Sequence, residues 1–328
     1  MKNLRFGTCL PVFGQCADRY VQSGYKEENF TMRQMFERVT KVPDITGVEL
    51  VGNWHINDEN FTEVSGMLKD CGLNVCMVTP DLWTQGKWGS GTFTSKDGKT
   101  RREAIDEVKK CMDWAASVGC DKVDVWLGQD GFDYPFQMDY QEAWQQIIEG
   151  LRECCDYRKD VNVLLEYKLK EPRTRLFITT AGKTRFLINE VDRDNLGILC
   201  DLGHAQAAGE NMADGIATCG GLLQAIHIND NYTLWDDDMM VGSLHTIESI
   251  EAMYWLDRVG YDYYYTLDVF PYREDGIRAA QESIDWVKGY YELIDRIGKE
   301  RIEQVIKGGD ATEMSKMMRE AILGRIKP

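Results

Sequence analysis

Along the 328 residues, short apolar runs alternate with longer stretches whose apolar positions recur every three to four residues. LRFGTCL (4–10), GVELVGN (47–53), NVCMVTP (74–80), KVDVWLG (122–128), NVLLEYK (162–168), LGILCDLG (196–203), LQAIHIND (223–230) and YYYTLDV (263–269) read as strands. Helical period fills the gaps near 31–42, 59–71, 100–118, 141–158, 179–192, 209–219, 246–259 and 277–304, with another helix expected at 311–324. Several runs are nearly continuous in apolar residues, as strands buried on both faces of a parallel sheet are. Eight strand–helix units predict an α/β fold, a single (β/α)8 TIM barrel over 1–305, with a helical C-terminal tail over 306–328. A doubly wound sheet is disfavoured because no strand runs into a GxGxxG turn.

A barrel gathers its chemistry at the C-terminal ends of its strands. His55 and Asp58 follow the second strand, Trp126 and then Asp130 the fourth. Glu166 and Lys168 end the fifth, Asp201 and His204 the sixth, His227 and Asp230 the seventh, and Asp268 the eighth. Three of the four histidines fall at these exits. Glu166, Asp201, His227 and Asp268 come from four successive strands and converge on the axis. Three carboxylates packed there as bare charges repel one another, and with the imidazole resist desolvation, unless a divalent cation joins them. Such a donor set suits Mn²⁺ first, then Mg²⁺ or Co²⁺, and the lack of thiolates disfavours structural zinc. His204, with Asp236 and Asp238 of TLWDDDMMVG, forms a second candidate group that shares Asp201. Each residue also has a plainer reading: a strand-end carboxylate as a turn former or cap, the DDD run as an exposed turn. Lys168 could simply pair with Glu171, and His55 could pack beside Trp54. Convergence on one barrel face is what weighs for a site.

Charge and cysteines narrow the partners. A net charge of −16 excludes an obvious nucleic-acid or anionic-membrane surface. Ten cysteines without a CxxC pair read as reduced, buried thiols, which predicts a cytoplasmic location. No apolar run approaches a membrane span, and the start reads as a first strand rather than a signal peptide.

ExKxxEPR (166–173), DLGHA (201–205), HINDN (227–231), DDDMMVGS (236–243) and TLDVFPYRED (266–275) resemble motifs of the xylose isomerase-like barrel superfamily. Within it they are most similar to the two-metal aldose–ketose isomerases, xylose isomerase and L-rhamnose isomerase. FGTCLPVFG near the start is a weaker match. The resemblance implies one ion held by Glu166, Asp201, His227 and Asp268, and a second by His204, Asp236 and Asp238 with Asp201 bridging. It implies that Lys168 bonds the carbonyl oxygen at C1, that Glu171 supports the second ion, and that Trp126, with Trp54, walls the sugar off from water. It assigns ring opening to His55 assisted by Asp58. The expected reaction is a hydride shift between C2 and C1 of an open-chain sugar, in a homo-oligomer (dimer or tetramer). Competing expectations are a ketose 3-epimerase, a metal-dependent subunit of C-glycoside deglycosidases acting on 3-keto sugars, and a sugar-binding barrel without turnover. Endonuclease IV-like repair fits poorly with four histidines and no basic groove. The aromatic segment 129–140 is expected to line the mouth.

Overall fold

The computed structural model describes residues 4–18 and 20–324. The eight apolar runs form eight parallel strands: β1 Arg5–Cys9, β2 Ile45–Val51, β3 Asn74–Thr79, β4 Lys122–Trp126, β5 Asn162–Glu166, β6 Leu196–Asp201, β7 Leu223–Ile228 and β8 Tyr264–Leu267. They pair in chain order, and β8 returns to β1 from Arg5↔Tyr264 to Thr8↔Leu267, so the sheet closes into a barrel with no free edge.

Helices cover the outside: α1 Met32–Val39, α2 Phe61–Cys71, α3 Gly98–Ser117, α4 Tyr140–Tyr157, α5 Ala181–Val191, α6 Leu202–Ala207, α7 Met212–Cys219, α8 Thr246–Arg258 and α9 Gly276–Ile297. The helix expected over 209–219 is preceded by the short α6, which starts on Asp201 itself. Asp201 caps it by accepting the His204 N–H at 2.8 Å, so one residue ends a strand and opens a helix. The helix expected over 277–304 breaks at Gly298, whose φ of 87° no ordinary helical residue adopts. Beyond it, α10 Lys299–Gly308 and α11 Ala311–Ile322 fold back on α9 and bury Ile302, Met317, Met318 and Ala321.

The main core lies between strands and helices. A second, separate cluster, Met77, Leu164, Leu199 and Ala225, comes from β3, β5, β6 and β7 and floors the barrel interior. The two-residue period of a strand fixes what stands above that floor. Two residues on from these four come Thr79, Glu166, Asp201 and His227, all buried. The polar mouth is thus the next layer of the same side-chain ladder. No helix among the described residues is long and apolar enough to cross a membrane.

Candidate active site

Glu166, Asp201, His227 and Asp268 each offer a donor atom, and the four atoms lie within 4.8 Å of one another. His227 Nδ1 stands 3.3 Å from Glu166 Oε1 and 3.7 Å from an oxygen of both Asp201 and Asp268. Its other nitrogen, Nε2, donates to Glu49 at 2.8 Å. Glu49 is fixed in turn by the Thr79 hydroxyl, which donates at 2.5 Å. A carboxylate behind an imidazole aims the opposite nitrogen and raises its basicity, the usual support of a metal-binding histidine. Asp201 is held by the His204 N–H on one oxygen and by the Asn229 amide at 3.0 Å on the other.

Beside this cluster lies a second network. Lys168 is 8% exposed. Its ammonium is 2.8 Å from Asp236 Oδ2, forms an ion pair with Glu171, and lies 4.9 Å from the centre of the Trp126 ring. His204 Nε2 meets the same Asp236 oxygen at 3.0 Å, and its Nδ1 is 3.2 Å from Glu166. The loop carrying the DDD run is returned to the mouth by Asp230 and Met239, which exchange backbone hydrogen bonds. Asp238 takes a left-handed φ of 47° there, a conformation aspartate tolerates better than most residues. Asp237 points elsewhere and accepts from Tyr232 N–H.

Negative charge is in excess. Glu49, Asp124, Glu166, Glu171, Asp236, Asp238 and Asp268 line one cleft, against Lys168, His204 and His227. Burial, with Glu166 and Glu49 nearby, pushes the Asp124 carboxyl well up. Burial, with Asp236 and Asp268, does the same to Asp238. Burial also lifts Asp268 to about 7, with His227 opposing and Asp201 and Glu166 reinforcing. Burial alone would lower the imidazole of His204, but Asp201 and Asp236 carry it up to about 10. Burial likewise opposes the charge on Lys168, and Asp236 and Glu171 more than offset it. Asp124 Oδ1, Asp236 Oδ1 and Asp238 Oδ1 are buried without a hydrogen-bond partner among the described residues. This cleft holds more acceptor than the chain's own donors satisfy, and a divalent cation on the four-donor cluster fits it. Cys9 also lies close to Glu49 and His227, their donor atoms within 4.8 Å of one another, and burial, with Asp268 and Glu49, pushes its thiol well up. The second group differs, since Asp236 already has two cationic neighbours in Lys168 and His204.

The cleft has a volume of about 390 Å³. One wall is aromatic: Trp54 packs on Trp83 at 5.7 Å between ring centres, and Trp83 on Trp126 at 5.1 Å. Trp54 stands at the rim, about half-exposed, with its indole N–H donating to Asp81 at 3.2 Å.

Two expectations are corrected. His55 and Asp58 are not paired. His55 Nδ1 accepts the Val51 N–H at 2.9 Å, and its ring is packed away from the cleft. Asp58 binds Lys110 at 2.8 Å and the Trp114 indole at 2.9 Å on the outer surface. The HxxD spacing reflects a tight turn rather than a proton relay. Segment 129–140 does not line the cleft either. Gly131–Phe132 pairs with Arg175–Leu176 in a short antiparallel ribbon, Asp130 is buried against Thr92 and Thr94, and Tyr134 and Phe136 face solvent. Arg173 pairs with Asp133 at 2.8 Å and lies 5.8 Å from the centre of the Tyr134 ring.

Glu49, Asp124 and Trp83 lie outside every quoted motif, and Trp235 and Asn229, which fall inside TLWDDDMMVG and HINDN, were given no role there. Two of them carry a visible signal: Glu49 in GVELV and Asp124 in KVDVW are lone charges inside apolar strands. A charge there is tolerated only if something at the barrel axis answers it.

A closed parallel barrel with an acidic, cation-fitting mouth at its strand ends defines the class: a (β/α)8 barrel of the enzyme type. A family profile described as xylose isomerase-like TIM barrel matches residues 36–290, and the chain belongs to that family. A xylose isomerase from Thermus thermophilus is 29% identical over 197 residues, 58% of this chain and 50% of that protein. The match thus spans about half the length of that curated relative. Among solved structures, an L-ribulose 3-epimerase superposes with a TM-score of 0.69 at 14% identity, covering 89% of this chain and 96% of the other. A D-tagatose 3-epimerase-like protein gives 0.66 at 18% identity, with 89% and 98% covered. A 3-keto-D-glucoside 4-epimerase from E. coli gives 0.66 at 20%, with 87% and 99% covered. At these identities the likeness is one of fold.

Proposed function

We propose that this chain is a divalent-metal-dependent sugar isomerase that interconverts an aldose and a ketose. The observation that carries the reading is Lys168: a buried ammonium held by Asp236 and Glu171 against Trp126, two residues beyond Glu166 of the four-donor cluster and in the same cleft. Glu166, Asp201, His227 and Asp268 would hold the ion, with Mn²⁺ the best fit to oxygen donors and one imidazole. When bound, it would supply a Lewis acid for vicinal sugar oxygens. Lys168 then donates to O1 of the open-chain aldose and stabilises the negative charge that grows there as hydride passes from C2 to C1. O2 gives up a proton in this step and O1 gains one. Asp238, kept protonated by burial and by its acidic neighbours, gives its proton to O1, and the carboxylate it becomes takes the proton that leaves O2, so the step balances. Trp126 and Trp83 exclude water around Lys168, which strengthens its electrostatic pull on the charge growing at O1. Ring opening falls to groups other than His55. Ten free thiols fit a reducing compartment.

A single-ion ketose 3-epimerase is the second reading. It is favoured by the ties of Asp236 to Lys168 and His204, which leave one cluster of four donors. One experiment separates them. Mn²⁺-loaded protein is given a panel of C2-deuterated aldoses and of ketoses, with product followed by NMR. Ketose retaining the deuterium at C1 supports the isomerase. Exchange at C3 of a ketose, with no aldose converted, overturns it in favour of the epimerase.

A further inference from the structure

The cleft does not end at the charged chamber. A second chamber of about 730 Å³ adjoins it and shares Trp235, Asp236, Asp238, Phe270 and Tyr272 with it. The waist between them is fixed by backbone, since Phe270 N–H donates to Asp238 C=O at 2.8 Å and ties the exit of β8 to the DDD loop. The aromatic walls are braced as well: Lys170 sits 5.2 Å from the Trp235 ring centre, and Tyr25 packs on Tyr272 at 5.4 Å. The two chambers differ in chemistry. The inner one carries the cation-fitting cluster and Lys168. The outer one combines the aromatic surfaces of Trp235, Phe270 and Tyr272 with polar Asp237, Arg273 and Glu274.

We propose that the outer chamber is a second sugar subsite, so that the substrate is a neutral reducing disaccharide whose reducing-end residue enters the inner chamber. This rests on the isomerase reading, which needs a free carbonyl beside Lys168 and therefore places the linkage away from C1. Small-ligand pockets run to roughly 300–1,000 Å³, and the inner chamber, at about 390 Å³, sits near the lower bound. It is sized for one sugar unit, and the larger outer space is surplus for a monosaccharide. A pyranose has an apolar C–H face and a rim of hydroxyls, which match aromatic faces and charged acceptors respectively. An anionic appendage is disfavoured. Among the described lining residues of the outer chamber, Arg273 is the one cation, against Asp18, Asp236, Asp237 and Glu274.

Met240 lines the outer chamber only, and Met240→Trp would fill it. Mn²⁺-loaded full chain is titrated calorimetrically with D-glucose, maltose, cellobiose, gentiobiose and D-glucose 6-phosphate. One well-packed ring contact is worth about tenfold in affinity. At least one disaccharide is therefore expected to bind about tenfold tighter than D-glucose. Met240→Trp should remove most of that advantage. Met240→Phe, a smaller change checked by circular dichroism, repeats the test if the tryptophan variant misfolds. The proposal is overturned if no disaccharide outbinds D-glucose, if the advantage survives in a folded variant, or if the phosphate ester gains as much. A disaccharide advantage without aldose–ketose conversion supports the subsite and removes the isomerase reading. Conversion of free aldoses with no such advantage does the reverse.

Discussion

His55 offers a quantitative test of the site's boundary. It is 5% exposed, and its Nδ1 accepts the Val51 N–H at 2.9 Å. Burial pushes its pKa from 6.5 down to about 4. The folded chain therefore holds the imidazole neutral, while the unfolded chain protonates it near the ordinary value. Because the folded pKa lies below the unfolded one, the stabilisation is fully present above 6.5 and is lost as pH falls through 6.5 toward 4. At about 1.36 kcal/mol per pKa unit, the window is worth at most about 3.4 kcal/mol, of which about 2.5 kcal/mol is gone by about pH 4.5. His55→Gln supplies a carbonyl acceptor for Val51 N–H but does not titrate. Urea unfolding of both proteins at about pH 7.5 and about pH 4.5 gives a double difference in which other titrations cancel. It should swing by about 2.5 kcal/mol in favour of the variant on acidification. Absence of a swing would refute the buried neutral imidazole. So would loss, in the variant, of a kinetic pKa near neutrality, which would return His55 to ring opening.

The remaining tests bear on the mouth of the barrel. Lys168→Met should lower kcat by about 10²–10³-fold, the usual cost of removing a donor to developing charge, while the metal content measured by atomic spectroscopy stays unchanged. Near-normal turnover would take Lys168 out of the chemistry. Glu49→Gln removes the carboxylate behind His227 and should weaken Mn²⁺ binding by about 10–100-fold in a calorimetric titration. Unaltered affinity would make Glu49 a packing residue only. Gly203→Ala would gain about 1 kcal/mol of helix propensity in isolation. Here its Cβ would lie 1.9 Å from Asn229 Oδ1 and 2.9 Å from Asn231 Nδ2. The crowding should cost about 1–3 kcal/mol net and loosen Asp201, so a stabilised variant would contradict the packing.

How much of this was legible in the sequence depends on which force placed each residue. The eight strands were readable because burial on both faces writes long apolar runs, and each observed strand falls within its run or within two residues of it. Glu166, Asp201, His227 and Asp268 were readable for the same reason: strand ends fix them, and the period of two turns their side chains onto one axis. His55 and Asp58 were misread because a loop obeys no such period. Three residues along a turn left one ring buried against Val51 and sent the other side chain to Lys110. Glu49 and Asp124 mark the opposite error. They sit inside β2 and β4, where an apolar run invites the eye to pass over a single acid. Yet a buried carboxylate in a barrel strand costs several kcal/mol unless a partner answers it. For Glu49 the partners are His227 and Thr79. Asp124 finds none for Oδ1 among the described side chains. That leaves a buried acid facing the same cleft as Glu166, and its unmet acceptor is a demand for a cation, a proton or a substrate hydroxyl at the barrel axis.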